Sequence, residues 1–170
     1  MKLFTVLVFA SLVISAFAQR DARTTDLKDG FVRVETSSYT IEVPKGWEVG
    51  AETSFGQRKV SPEKGAAEIG VMTAPPTRNS WDELYRTSLY FILREEDGNP
   101  TPYKLTKTAQ GYEAASFSVL DDKGFAKRRY MLLKSKDNRL LALSIKIPGK
   151  QDEKTLAPAF DRLVRTARMN

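Results

Sequence analysis

The stretch RLLALSIKI, residues 139–147, decides the fold because it is apolar on both faces of a predicted strand. Side chains alternate between the two faces of a strand. One face therefore carries Leu141, Leu143, Ile145 and Ile147, and the other carries Leu140 and Ala142. A strand with two apolar faces must be covered on both sides. We therefore predict that this strand lies centrally in a sheet with a packed layer on each side.

The segments around this strand alternate with the same period of two and are separated by turn residues. YKLTKT, GYEAASFSVL and FAKRRYMLLK precede it, and the turns contain Gln110-Gly111, Asp121 to Gly124 and Asp137-Asn138. This order predicts an antiparallel meander. Nearer the amino terminus, FVRVET and YTIEV predict a hairpin that ends at Pro44, and RKVS and AAEIGVMT predict two more strands.

The segment SWDELYRTSLYFILREEDG predicts the first helix. Ser80 and Glu83 have the spacing of a capping box, and Gly98 stands where a left-handed cap is expected. The apolar positions recur at intervals of three and four, which predicts one buried face. That face contains Trp81, Leu84, Tyr85, Leu89, Ile92 and Leu93, and Phe91 widens it. We expect this helix to dock on the sheet.

A second helix is predicted from TLAPAFDRLVRTAR, whose buried stripe contains Leu156, Phe160, Leu163, Val164 and Ala167. Thr155 is the predicted N-cap. This start places Pro158 in the first turn, where the missing N–H of proline has no helical partner to lose. A start near Gln151 would place the proline inside the helix.

The first residues have the pattern of a secretory signal peptide. Lys2 precedes an uncharged run, Leu3 to Ala18, which closes on the small-x-small sequence Ala16-Phe17-Ala18. We predict a signal peptide over residues 1–18, a flexible leader over 19–29 and a single domain over 30–170. The exported protein would be periplasmic or secreted, and an uncleaved membrane anchor is the alternative. The net charge of +6 is too small to indicate a nucleic-acid partner.

Several short sequences occur in the order that is found in one known family. GF near residue 30, YTIEVPKGW, the long helix, GYEAASF, RRYMLL, NRLLALSI and the final FDRLVRTAR resemble the PsbP-like domain over residues 30–168. The resemblance implies an α+β fold, an α/β/α sandwich around a central antiparallel sheet of about six to eight strands with two main helices. It also implies a binding module and not an enzyme.

The residue inventory excludes the commonest catalytic machinery. The chain has no cysteine and no histidine, so disulfides, Cys–His nucleophiles and Ser–His–Asp triads are impossible, and zinc loses its usual ligands. The acidic clusters Glu95-Glu96-Asp97, Asp121-Asp122 and Asp152-Glu153 do not follow a calcium-loop pattern, and we interpret them as solvated turns. Ser116 or Ser118 with Lys127 could form a Ser–Lys dyad, although no S-x-x-K motif is present. We predict no catalytic residue, metal or cofactor.

Two groups of residues are candidate binding sites. Trp47 either packs in the core or forms an aromatic platform beside Lys45. The second group is the basic hairpin KGFAKRRYMLLKSKDNR, residues 123–139. Lys127 and Arg129 face one side of its sheet, while Arg128 and Tyr130 share the other and could present a guanidinium and a ring to a ligand. The alternative for the hairpin is a solvated sheet face with acidic neighbours.

These observations predict an exported, non-enzymatic domain that docks a protein or an anionic envelope component. It would have no nucleic-acid partner and no membrane span after signal cleavage. One alternative is a small-ligand or lipid-binding protein with an apolar pocket lined by Phe91 and Leu89. The other is a carboxylate-dependent hydrolase, which requires two convergent acids in a cleft.

Overall fold

The computed structural model describes residues 22–95 and 97–170, which form two antiparallel sheets and two α-helices. The predicted signal peptide lies outside these residues. The strands are β1 (Arg23–Asp26), β2 (Phe31–Glu35), β3 (Tyr39–Pro44), β4 (Trp47–Val49), β5 (Gln57–Pro62), β6 (Glu68–Ala74), β7 (Asn99–Pro100), β8 (Lys104–Lys107), β9 (Glu113–Leu120), β10 (Ala126–Lys134), β11 (Leu140–Lys146) and β12 (Arg168–Met169). The helices are α1 (Trp81–Glu95) and α2 (Glu153–Thr166).

The large sheet has eight strands, and the predicted central strand does lie inside it. The order is β4-β5-β6-β11-β10-β9-β7, and β8 also pairs with β9. Leu143 of β11 lies opposite Val71 on one side and opposite Met131 on the other. Leu143 and Val71 are fully buried, because this face of the sheet is covered along its length.

The small sheet, with the order β1-β2-β3-β12, covers that face together with α2. The shared core contains Val34, Ile41, Ile69, Leu133, Leu141, Leu143, Ile145, Phe160 and Leu163. Each large aliphatic or aromatic side chain that is fully buried contributes about 1.5–3 kcal/mol. Most of the stability therefore arises between the two sheets.

Helix α1 covers the opposite face of the large sheet. Leu84 packs in a second buried cluster with Ala115, Phe117 and Leu132. The rings of Tyr85 and Phe117 meet edge to face at 5.1 Å, and the Tyr85 hydroxyl donates to the carbonyl of Thr101 at 2.6 Å. The result is the predicted layered arrangement, with α1 on one side of the large sheet and α2 on the other.

The capping box at the start of α1 is confirmed. The backbone N–H of Ser80 donates to Glu83 Oε2 at 2.7 Å, and the backbone N–H of Glu83 donates to Ser80 Oγ at 3.3 Å. Beyond the other end, Gly98 has a φ of +149°, which is not the left-handed helical cap that was predicted. A Cβ at this position would lie 2.5 Å from Val119 Cγ1, so only glycine fits against β9.

Two further predictions are wrong. Helix α2 begins at Glu153, not after Thr155, because a 3₁₀ turn over Lys150–Asp152 leads into it, and Pro158 therefore lies inside the helix. Pro158 is exposed, so its ring does not disturb the buried stripe on the other side of α2. The leader predicted to be flexible contains β1, which pairs with β2 along its whole length.

Across both described ranges, no helix has the length and apolarity that a membrane span requires.

Candidate functional site

The structure divides the basic hairpin between the two faces of the large sheet. Tyr130 stacks on Phe117 at 4.9 Å on the α1 side, and Arg128 Nη1 on the same side lies 3.5 Å from Glu68 Oε1. On the opposite face, Arg129 forms an ion pair with Glu153 at the start of α2. Both arginines thus have the acidic neighbours that the alternative interpretation requires. Lys127 lies at an irregularity in β10, where its carbonyl accepts the N–H of Ile147 at 2.8 Å.

Trp47 and Lys45 lie at a different place from the hairpin. Trp47 begins edge strand β4, is half-buried and packs against the main core. Lys45 Nζ lies 2.6 Å from Asp26 Oδ2. Strand β4 is four strand spacings from β10, or roughly 19 Å. The predicted binding residues therefore do not form one site.

A surface that the sequence did not predict lies on the solvent side of α1. Arg86, Tyr90 and Arg94 follow one another at intervals of four residues, which aligns them along one side of a helix. Phe91 and Leu93 flank this row. We call these five residues the outer face of α1. Tyr90 and Phe91 are each 60% exposed, and Leu93 is 43% exposed.

The exposure of Phe91 and Leu93 corrects their assignment to the buried stripe. Successive residues of a helix are separated by about 100°, so Phe91 and Leu93 lie about a quarter turn to either side of Ile92. Both therefore lie at the edges of the contact between α1 and the sheet. The same exposure argues against the pocket that the lipid-binding alternative places at Phe91. Leu89 is half-buried in the contact between α1 and the sheet.

The side chains of the outer face contact one another. Arg94 Nη1 donates to the Tyr90 hydroxyl at 3.2 Å, and its guanidinium carbon lies 5.5 Å from the ring centroid. The rings of Tyr90 and Phe91 meet edge to face at 5.4 Å. Within the described ranges, Arg86 and Arg94 form no ion pair. This face therefore presents two ordered rings and two available cations to solvent. The signal in the sequence was the four-residue spacing of Arg86, Tyr90 and Arg94.

Asp121 and the serines of the possible dyad have structural explanations. Asp121 Oδ1 accepts the backbone N–H groups of Lys123 at 2.9 Å and Phe125 at 2.8 Å, as expected of a turn residue. Ser118 lies opposite Arg129 in the pairing of β9 with β10, and Ser116 lies opposite Met131. In the described part of the chain, no three acidic residues come together as a metal site would require.

Comparison with known proteins identifies the fold. No family model matches the chain, and no curated protein matches it. Among solved structures, the solution structure of cyanobacterial PsbP (CyanoP) from Synechocystis sp. PCC 6803 is similar, with a TM-score of 0.56. The similarity covers 88% of this chain and 93% of that chain, at 13% sequence identity. The chain therefore has a PsbP-like fold, and this likeness carries no function with it.

Proposed function

We propose that this PsbP-like domain is a non-enzymatic docking module that binds an acidic protein surface through the outer face of α1. The observation that carries the proposal is the exposure of Tyr90, Phe91 and Leu93 between two arginines. The opposite side of α1 packs on the sheet, and none of these three side chains belongs to that buried cluster.

The residue types support protein docking. Tyrosine and arginine are enriched among the residues that dominate binding energy in interfaces, and exposed apolar patches mark interaction sites. Arg86 and Arg94 would favour a partner with carboxylates at matching positions, which sets orientation and association rate more than affinity. The partner would share the exported compartment that the signal peptide predicts.

The basic hairpin remains a competing proposal for the docking surface. Its residues are Lys127, Arg128, Arg129 and Tyr130, with Trp47 and Lys45 as a separate candidate pair. Arg128 and Arg129 already pair with Glu68 and Glu153, so charge reversal there would remove internal contacts. Lys127→Glu is therefore the cleaner test of the hairpin, because no ion pair of Lys127 occurs among the described residues.

The experiment begins with cross-linking and affinity capture of the mature protein from its own exported fraction. The captured protein is then purified and titrated against the parent and three variants. The double variant Tyr90→Ser with Phe91→Ser should lose about tenfold or more in affinity, because a dominant interface residue contributes about 1.4 kcal/mol or more. Leu105→Ser removes another exposed apolar side chain, 59% exposed on β8, and should bind as the parent does.

Each outcome decides between the surfaces. All variants should unfold at the parent's denaturant midpoint, because exposed substitutions usually change stability by less than about 0.5 kcal/mol. Binding by the α1 variant at the parent's affinity would overturn the proposal. A loss confined to Lys127→Glu would assign the docking surface to the hairpin. Weaker binding at higher salt by the parent is expected if the partner surface is acidic.

A further inference from the structure

A second charged surface lies on the other side of the molecule, where a groove of about 330 Å³ crosses the outer face of the small sheet. Three arginines line it, and each comes from a different element: Arg33 from β2, Arg165 from α2 and Arg168 from β12. Thr40, Thr166, Glu35 and Glu42 complete the lining. We call this the arginine groove.

Strand alternation explains why these side chains share one face. Val32 and Val34 of β2 enter the core, so Arg33 and Glu35 point outward. Arg33 lies opposite Glu42, and Arg168 lies opposite Thr40, which places all four on the same outer surface. Helix α2 then brings Arg165 to the side of the groove.

Glu42 is only 7% exposed, and its charge is already compensated. It accepts hydrogen bonds from Arg33 Nη2 at 3.1 Å and from Arg162 Nε and Nη2 at 2.9 and 2.7 Å. Arg162 also lies 2.7 Å from Asp29 and rests 3.9 Å above the ring of Phe31. A buried carboxylate requires such partners. Glu42 therefore fixes Arg33 in place and leaves its other N–H groups for a ligand.

The remaining charges leave the groove positive. Within the described ranges, Arg165 and Arg168 are exposed and form no ion pair. Glu35 lies directly opposite Arg23 of β1, which offsets its charge. Among the charged residues that line the groove, Arg33, Arg165 and Arg168 thus stand against Glu35 and Glu42. The balance of these five side chains is +1.

From this arrangement we propose that the arginine groove binds a phosphate group. Guanidinium groups recognise oxyanions through paired N–H donors, and arginine does this with better geometry than lysine. A carboxylate has two oxygens in one plane, and Glu42 shows that two arginines already satisfy it. A phosphate monoester has three unesterified oxygens in a tetrahedral arrangement, and inorganic phosphate has four, so either can accept from guanidiniums that approach from three directions. The phosphate could belong to a lipid headgroup or to a soluble compound.

The proposal goes beyond docking through α1, because the two surfaces lie on opposite sides of the large sheet. The test uses the exported protein and three probes: pyrophosphate, succinate, and vesicles of phosphatidylcholine with phosphatidic acid, whose headgroup is a phosphate monoester. The variant Arg165→Gln with Arg168→Gln should bind the phosphate probe about tenfold or more weakly than the parent. The matched control, Lys64→Gln with Lys123→Gln, removes two charges from exposed turns of the large sheet and should bind within about twofold of the parent.

The probes also distinguish the source of the phosphate. Pyrophosphate binding would support a soluble phosphate compound, and binding to the anionic vesicles alone would support a lipid headgroup. Succinate binding equal to pyrophosphate binding would overturn the phosphate assignment. Equal losses in the groove variant and the control, or no binding of any probe by the parent, would overturn the site. If the double variant unfolds because Arg168 lies in β12, Arg165→Gln alone provides the comparison.

Discussion

At the residue scale, the capping box of α1 makes stability depend on pH in a defined direction. The backbone N–H and hydroxyl of Ser80 hold the pKa of Glu83 below its ordinary value of 4.5. Because the folded-state pKa is lowered, this contribution is fully present above the unfolded pKa and is lost as the pH falls through the folded pKa. Glu83→Gln should therefore show a shallower loss of stability below about pH 5 than the parent. Urea unfolding of both proteins across this pH range measures the difference. If the unfolding free energies of the two proteins fall in parallel with pH, the contribution of the Glu83 cap is contradicted.

Single residues also show what the sequence could predict. Leu143 and Phe160 were assigned to the core from periodicity, and both are buried. The same method failed for Phe91, because a residue at the edge of a helical stripe is buried only if the facing sheet extends beneath it. The width of that sheet depends on strand order, which no local pattern contains. Arg165 and Arg168 were missed for a related reason, since the packing of α2 and the pairing of β12 with β3 bring them to the face that carries Arg33.

At the element scale, Pro158 destabilises α2 at a position that packing does not need. Its ring is exposed, and its missing N–H leaves the carbonyl of Lys154 without the usual helical partner. Pro158→Ala should stabilise the protein by about 1 to 2 kcal/mol, since the helical gain exceeds the entropy that the proline removes from the unfolded chain. Thermal and urea unfolding measure the change. A lower melting temperature would show that the unfolded-state effect of proline dominates.

The elements themselves were largely predictable, while their assembly into two sheets was not. Hairpin β2–β3, the meander β9–β10–β11 and both helices follow from periodicity and turn residues. Strands β1 and β12 carry little pattern, because β1 is exposed along its length and β12 has only two residues. They pair with β2 and β3 and so define the small sheet. Without them, the sequence predicted one sheet and left the arginine groove unrecognised.

At the scale of the whole molecule, Arg58 joins the two sheets through a buried guanidinium. The side chain is only 3% exposed, although it begins on β5 of the large sheet. Nε donates to the hydroxyl of Tyr39 on β3 at 3.1 Å, and Nη1 donates to the carbonyl of Gly50 at 2.5 Å. Nη2 lies 3.3 Å from Glu52. The contact between the sheets is therefore polar at Arg58. The buried guanidinium needs all three of these partners to satisfy its N–H groups.

Arg58→Met should destabilise the protein by about 2 to 3 kcal/mol, because it leaves the buried Tyr39 hydroxyl and the part-buried carbonyl of Gly50 without their donor. Tyr39→Phe is the matched control, since it removes only the hydroxyl, and it should cost about 1 kcal/mol. Chemical denaturation of both variants measures the difference. Equal losses would show that the Tyr39 hydrogen bond, and not the guanidinium as a whole, supports the contact.

The strands of the small sheet are far apart in the chain, and this affects how the protein folds during synthesis. Its inner strands come from residues 31–44, but the strand that closes it, β12, comes from residues 168–169. During synthesis, the large sheet can assemble before residues 168–169 emerge, while the edge of β3 at Tyr39 and Thr40 is still unpaired. An unpaired edge is a template for association with other chains. The interval before β12 is synthesised therefore carries a risk of association, and a holding chaperone would protect β3 during it.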